Sequence, residues 1–195
     1  MKTKTKVKVK VLVTALCAVL LVAVSVLGAM AYLTAKDTVT NTFTAGKVTL
    51  TLDELQVNPD GTAKSNSRVQ ANTYHLIPGH TYIKDPTVHI GDSSEDCWIF
   101  VKLDNGLLDI VADDTIESQM TANGWSLIDG TENIYAYSET VSAGDDIAVF
   151  GSFTLEGEAD VSDYENEKIE VVAYGVQADG FSDAESAWQA AAFSE

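Results

Sequence analysis

The chain has 195 residues, of which 46% are hydrophobic, with 12 basic and 29 acidic side chains and a formal net charge of -17. This length fits one domain with an appendage rather than two full cores. Residues 1–31 contain five lysines and no acid, so the rest of the chain carries seven basic and 29 acidic side chains, a net charge of -22. A body this acidic repels phosphate backbones and anionic lipids, which argues against nucleic-acid binding. Its apolar content argues against disorder.

The first 31 residues have the composition of an export signal. Lysines at alternate positions from Lys2 to Lys10 precede an uncharged apolar run, which ends in Ala29-Met30-Ala31. A positive start, an apolar centre and a small-x-small end are typical of a signal peptide. We therefore predict a signal helix over residues 1–31, cut by a signal peptidase between Ala31 and Tyr32, and an extracellular body. The alternative is an uncleaved membrane anchor, which would be the chain's only contact with a membrane.

The body has one cysteine, because Cys17 falls within the predicted signal peptide and Cys97 remains alone. No intramolecular disulfide is then available to the exported chain. We expect the domain to be held together by core packing, for which a body of this length suffices.

Strand signals in the body are frequent and short. Residues 47–53 alternate, with Val48, Leu50 and Leu52 on one face, and residues 97–103 form the continuous apolar run of a strand covered on both faces. Further strands are predicted over 147–155, with Gly151 at a bulge, and over 169–176. Weaker candidates are 74–77, 87–90, 126–128 and 133–137, and residues 56–72 are predicted to be a long exposed loop or a loose hairpin.

Two short helices accompany these strands. Residues 113–121 place Ile116 and Met120 one turn apart, and Ser182 begins a Ser-x-x-Glu capping box before a helix whose Trp188 would pack on the sheet. The sequence therefore predicts an all-β fold, an antiparallel β-sandwich of jelly-roll type, over residues 47–195. Residues 32–46 form an N-terminal arm between this domain and the signal peptide.

Residues that carry chemistry are few. His75, His80 and His89 are the candidate metal ligands, but their spacing matches no zinc motif, and surface or turn histidines are the simpler interpretation. The acidic clusters lack the pattern of a calcium loop, which leaves open only low-affinity calcium binding that screens the charge. No nucleophile motif occurs, and Cys97 lies in the most apolar strand. We therefore predict no catalytic residues, no other cofactor and a non-enzymatic protein.

Four stretches carry a resemblance to a known family. Residues 31–48 (AYLTAKDTVTNTFTAGKV) join an Ala-aromatic junction to a Thr-rich segment and an Asn-x-Phe-x-x-Gly-x-Val strand entry. The others are a Pro-Gly turn followed by residues 84–88 (KDPTV), residues 97–102 (CWIFVK) and residues 171–181 (VVAYGVQADGF). They are distributed over residues 31–181, which is most of the chain. The chain resembles the TasA/camelysin family of exported proteins that depend on a SipW-type signal peptidase.

The resemblance implies a jelly-roll protein of a Gram-positive cell surface or biofilm matrix. For the TasA branch it implies self-association by β-strand addition, in which the freed arm of one subunit completes the sheet of the next. Val39 and Phe43 are spaced to enter pockets on one side of such an edge. The camelysin branch implies instead a secreted surface metallopeptidase. A monomeric surface adhesion or binding protein is the third alternative.

Overall fold

The computed structural model describes residues 34–38, 41–42, 48–112, 115–164, 166–191 and 193. This part of the chain is mostly β, and its strand pairs are antiparallel, as predicted. In chain order the strands are β1 Thr34–Thr38, β2 Asn41–Thr42, β3 Leu50–Val57, β4 Ala63–Val69, β5 Thr81–Ile83, β6 Thr87–Ile90, β7 Cys97–Asn105, β8 Trp125–Leu127, β9 Ile134–Tyr137, β10 Asp146–Ala148, β11 Ser152–Thr154 and β12 Ile169–Gln177. The helices described are α1 Thr115–Ala122 and α2 Ala184–Ala191. The predicted signal helix lies outside the described residues.

Three sheets contain the described strands. The largest has the order β2-β1-β12-β7-β9-β8, a second has the order β10-β6-β3-β4, and β11 pairs with β5 alone. The centre of the largest sheet is the pair β12 and β7, which runs from Ile169 opposite Asn105 to Gln177 opposite Cys97. The strands predicted over residues 97–103 and 169–176 are therefore neighbours in the sheet.

Both faces of this central pair are covered. Alternate residues such as Ile99 and Val101 join Leu50, Leu52 and other residues of the second sheet in one buried cluster. Phe100, which lies between Ile99 and Val101, points to the other face of the sheet. Together with Tyr174, its partner on β12, it belongs to a second buried cluster, which α2 covers. A strand with two covered faces must be apolar at nearly every position, which explains the uninterrupted hydrophobic run in β7.

Helix α2 packs as the sequence predicts but begins differently. The Trp188 ring lies 5.2 Å from that of Phe100 and 5.5 Å from that of Tyr174, between ring centroids. The capping residue is Asp183, whose Oδ1 accepts the Ser186 N–H at 2.8 Å. The predicted cap, Ser182, instead donates its hydroxyl to the Asp183 carboxylate. The prediction was wrong by one residue, because Asp and Ser are about equally good N-caps and the pattern alone does not separate them.

The predicted strand over 147–155 is wrong, since it is divided between two sheets. β10 pairs with β6, whereas β11 pairs with β5. Between them the Val149 N–H donates to the Pro86 carbonyl and the Gly151 N–H donates to Gln119 Oε1. These bonds pair two backbone N–H groups outside any ladder, at the point where the chain leaves one sheet for the other.

Two weaker predictions were also resolved. Residues 74–77 form no strand, because the Tyr82 hydroxyl takes over their backbone bonding: it accepts the Ile77 N–H at 2.6 Å and donates to the His75 carbonyl at 2.7 Å. Of the alternatives for residues 56–72, the hairpin is the one observed, since β4 pairs back onto β3. Ile116 and Met120 lie one turn apart on α1, as predicted, and both are fully buried.

Candidate functional site

The sequence-predicted processing and donor residues fall outside the described part of the chain. These are Ala29, Ala31 and Tyr32 at the cleavage site, and Val39 and Phe43 in the arm. What the structure describes is the backbone of the arm on either side of Val39, namely β1 and β2.

The arm is part of its own chain's largest sheet. β1 runs antiparallel to β12, with Thr34 opposite Val176 and Asp37 opposite Ala173. The chain then reverses, and β2 pairs back onto the end of β1 with Thr38 opposite Asn41. The edge of β12 on this side is therefore occupied, over these residues, by the chain's own arm.

A groove continues along β12 beyond the end of β1. Among the described strands, none pairs with residues 169–172 of β12 on the side where β1 lies. A cavity of about 490 Å³ lies between the start of β12 and β3. Its walls include the apolar side chains of Leu52, Leu76 and Phe153, together with Ile169 and Val171 of β12.

The opposite wall of this groove contains a buried charged cluster. Glu54 is only 5% exposed, and its Oε2 accepts the Lys84 ammonium at 2.7 Å. Its Oε1 accepts the Asn72 side-chain amide at 3.0 Å. Lys84 is itself nearly buried, with 11% of its side chain exposed. A buried carboxylate is tolerated only when it is paired and hydrogen-bonded, and here both of its oxygens are used.

The side-chain amide of Asn72 also makes two hydrogen bonds to the backbone of β3. Asn72 Nδ2 also donates to the Leu55 carbonyl at 2.8 Å, and Asn72 Oδ1 accepts the Val57 N–H at 2.9 Å. The amide plane is thus held by three contacts, which fixes its direction relative to the Glu54 carboxylate.

Tyr74 closes the cluster toward the core. Its ring lies 5.6 Å from that of Phe153 and 5.7 Å from that of Tyr82, both edge to face. Burial, followed by the negative charges of Glu54 and Asp85, raises the pKa of Tyr74 well above its ordinary value. Its hydroxyl therefore stays protonated and donates to the Ile83 carbonyl at 3.0 Å.

A second, more exposed charged cluster surrounds His89 on the four-stranded sheet. His89 Nδ1 lies 2.5 Å from Asp146 Oδ1, and Nε2 lies 2.8 Å from Asp53 Oδ1, which also accepts the Arg68 guanidinium. Burial lowers the pKa of His89, but the hydrogen bonds to Asp146 and Asp53 outweigh it, and the net pKa is raised. For Asp53, burial raises the pKa, but Arg68 and His89 outweigh it, and the net pKa is lowered. The cluster joins strands β3, β4, β6 and β10.

The three candidate histidine ligands have separate surroundings. His89 lies between two carboxylates, His80 Nε2 contacts the Asp60 carbonyl at 2.7 Å, and His75 is exposed. Across the described ranges, no group of three or more His, Cys, Asp or Glu residues is placed to hold a metal ion. The possibility of low-affinity calcium binding stays a prediction.

Cys97 is fully buried in β7, as its place in the apolar run predicts. Burial, as the largest effect, raises the pKa of its thiol to about 12. A thiol in this state is a core residue rather than a nucleophile.

The residues that sequence reasoning missed are Glu54, Asn72 and Lys84. One signal was available, because the alternation of Val48, Leu50 and Leu52 continues to Glu54 and places a carboxylate on the buried face. The partners Asn72 and Lys84 come from connections after β4 and β5, which no local pattern links to β3.

Comparison with protein-family models, with curated proteins and with solved structures finds no match to this chain. In the described part of the chain, neither helix has the length and apolar character needed to cross a membrane.

Proposed function

We propose that the protein is a secreted structural protein of the cell surface or extracellular matrix, folded as a jelly-roll-like β-sandwich. Its copies would assemble by exchanging their N-terminal strands. The observation that supports this most is the pairing of β1 with β12, two residues after the predicted cleavage site. The strand that cleavage would release is the one that covers the β12 edge.

Exchange of this strand preserves the backbone bonds that the monomer makes. The same residues of β1 can pair with β12 of their own chain or with β12 of another copy, so the number of hydrogen bonds is unchanged. Domain swapping of an identical element is for this reason a low-cost route to assembly. Each copy can donate once and accept once, so two copies that exchange arms reciprocally form a closed dimer, whereas copies that each donate to the next form an open chain, which is the arrangement we propose.

The groove beyond β1 offers an additional gain to an arm that stays extended. Each step along β1 moves one residue back along β12, so continuing the register places Val39 opposite Val171. Opposed residues of an antiparallel pair share a face, and Val171 faces the buried cluster. Phe43 would follow on the same face, opposite Glu167 at the end of the groove. In the monomer, β2 pairs back onto β1, and none of the described strands pairs with this part of β12 on the β1 side.

Charge opposes this assembly and makes it sensitive to conditions. The predicted mature chain has seven basic and 29 acidic side chains. Copies that carry this charge repel each other until salt, divalent cations or acid screen or neutralise them. We therefore expect assembly to increase with ionic strength and with acidification.

The deciding experiment compares the protein beginning at Tyr32 with one that lacks residues 32–44, by electron microscopy and light scattering. We expect fibres from the first and none from the second. A first protein that stays monomeric at high concentration would contradict the proposal, and so would fibres formed without the arm. Chelator-sensitive casein cleavage by the purified protein would favour the metallopeptidase alternative instead.

Two point variants test the groove itself. Val39→Asp places a charge where the extended arm would enter the apolar groove, and we expect it to abolish or strongly reduce polymer. Leu127→Asp is the matched control, because Leu127 is 50% exposed on β8 at the opposite end of the same sheet. Equal loss of polymer in both variants would mean that assembly does not depend on the arm.

A further inference from the structure

The cluster of Lys84, Glu54 and Asn72 has the composition of a reaction site. A primary amine and a carboxamide are held by the two oxygens of one carboxylate, at 2.7 Å and 3.0 Å. Glu54 and Lys84 are both almost fully buried.

We propose that Lys84 and Asn72 become joined by an intramolecular amide bond, with Glu54 as the group that moves the protons. The class of reaction is transamidation, in which the side-chain amide of Asn72 is the acyl donor and the Lys84 amine is the nucleophile. The reaction needs no cofactor and no oxidant. It is a single-turnover modification of the protein by itself, and it is independent of how copies assemble.

The first step is proton transfer from Lys84 to Glu54 along the 2.7 Å contact, which yields a neutral amine and a carboxylic acid. The Lys84 Nζ lone pair then attacks Asn72 Cγ, and a C–N bond forms. The negative charge that develops on Asn72 Oδ1 is stabilised by the Val57 N–H, which already donates to that oxygen at 2.9 Å.

Collapse of this adduct breaks the bond between Asn72 Cγ and Nδ2. Glu54 supplies the proton to Nδ2 through its 3.0 Å contact, and the excess proton on Nζ passes to Glu54 in turn. The balanced result is one new amide bond and one molecule of ammonia. The groove beside the cluster gives ammonia a route to solvent, since Glu54, Asn72 and Lys84 all line it.

The surroundings hold the reacting groups in place. Asn72 is tied to β3 through Leu55 and Val57, and Lys84 directly follows β5. Positioning of this kind replaces a bimolecular encounter with a unimolecular step, which is where most of the acceleration would come from. Lys102, whose Nζ lies 3.2 Å from Asp104 Oδ2, is more exposed, with 34% of its side chain accessible.

Intact mass spectrometry of the purified, folded wild-type protein is the first test. We expect a mass about 17 Da below that of the sequence, which is the loss of one ammonia. Trypsin should then fail to cut after Lys84, so residues 69–102 should appear as one peptide with the same deficit. A wild-type protein of full mass that is cut after Lys84 would overturn the proposal.

Variants assign the roles. Lys84→Arg keeps the charge but removes the nucleophile, and Asn72→Ala removes the acyl donor, so both should have full mass. Glu54→Gln should also have full mass, and a deficit of about 17 Da in that variant would overturn the role of Glu54. Lys102→Arg is the matched control and should retain the deficit together with the uncut peptide. Circular dichroism shows which variants are folded, and the wild-type measurement decides the proposal even if all three variants of the cluster unfold.

Discussion

Gly175 in β12 gives the sharpest test of how closely β3 approaches the central sheet. It lies opposite Ile99 on β7, and a Cβ atom added to it would be 2.8 Å from Val48 Cγ1 and 3.0 Å from Leu50 Cδ2. Carbon atoms in favourable contact are about 3.5–4.0 Å apart. Gly175→Ala therefore forces two buried side chains to move by roughly 0.5–1 Å in a closely packed core.

We expect this substitution to lower the free energy of unfolding by about 1–3 kcal/mol, the usual cost of overpacking a core. For a chain of this size, that corresponds to a decrease in Tm of about 2–12 °C. The assay is urea unfolding followed by tryptophan fluorescence, together with a thermal melt by circular dichroism.

Gly157→Ala is the matched control. An added Cβ at Gly157 meets no atom within 4 Å, and its φ lies outside the left-handed region. This variant should be neutral or gain up to about 1 kcal/mol, because alanine restricts the unfolded chain. If Gly175→Ala melts at the same temperature as Gly157→Ala, the reasoning about the contact between β3 and β12 is refuted.

Two further predictions concern the cap and the histidine cluster. Asp183→Ala should lower the midpoint of urea unfolding, because it removes the acceptor for the Ser186 N–H, whereas Ser182→Ala should lower it clearly less; the reverse order would restore Ser182 as the cap. His89 has a raised pKa in the folded state, so its stabilisation is complete below its ordinary pKa of 6.5 and is lost as the pH rises through the folded value. Asp53 has a lowered pKa, so its stabilisation is present above its ordinary value of 3.8 and is lost on acidification through the folded value. The Tm of the wild type should therefore fall more between about pH 6 and about pH 8 than that of His89→Gln, and parallel profiles would show that His89 does not contribute.

The periodicity of apolar residues predicted those strands and helices whose pattern depends only on which of their faces are buried. The alternation of Val48, Leu50 and Leu52, the apolar run of β7 and the placement of Trp188 follow directly from which faces are covered. Periodicity was misleading over residues 147–155, because the alternation continues while the chain changes sheets. The cause is a set of non-local bonds to Pro86 and Gln119, which the local sequence does not contain.

The candidate sites were less predictable than the fold. The groove is formed by β12, β3 and two connections that are distant in sequence, so only the fold brings its residues together. Within it, the pattern indicated Glu54 as a charged residue on a buried face, but it could not indicate that Asn72 and Lys84 would meet the carboxylate. For the arm, the sequence indicated an extended segment, and the pairing of that segment within its own chain depends on the exposed edge of β12.

The direction of β1 relative to β12 has a mechanical consequence. The two strands are antiparallel, and their residues pair in register from Thr34 opposite Val176 to Asp37 opposite Ala173. In a chain of strand-exchanged copies, tension would pull β1 lengthwise along β12, so the inter-strand bonds would bear the force simultaneously instead of opening one after another. A junction loaded in shear resists rupture better than one that is peeled from its end.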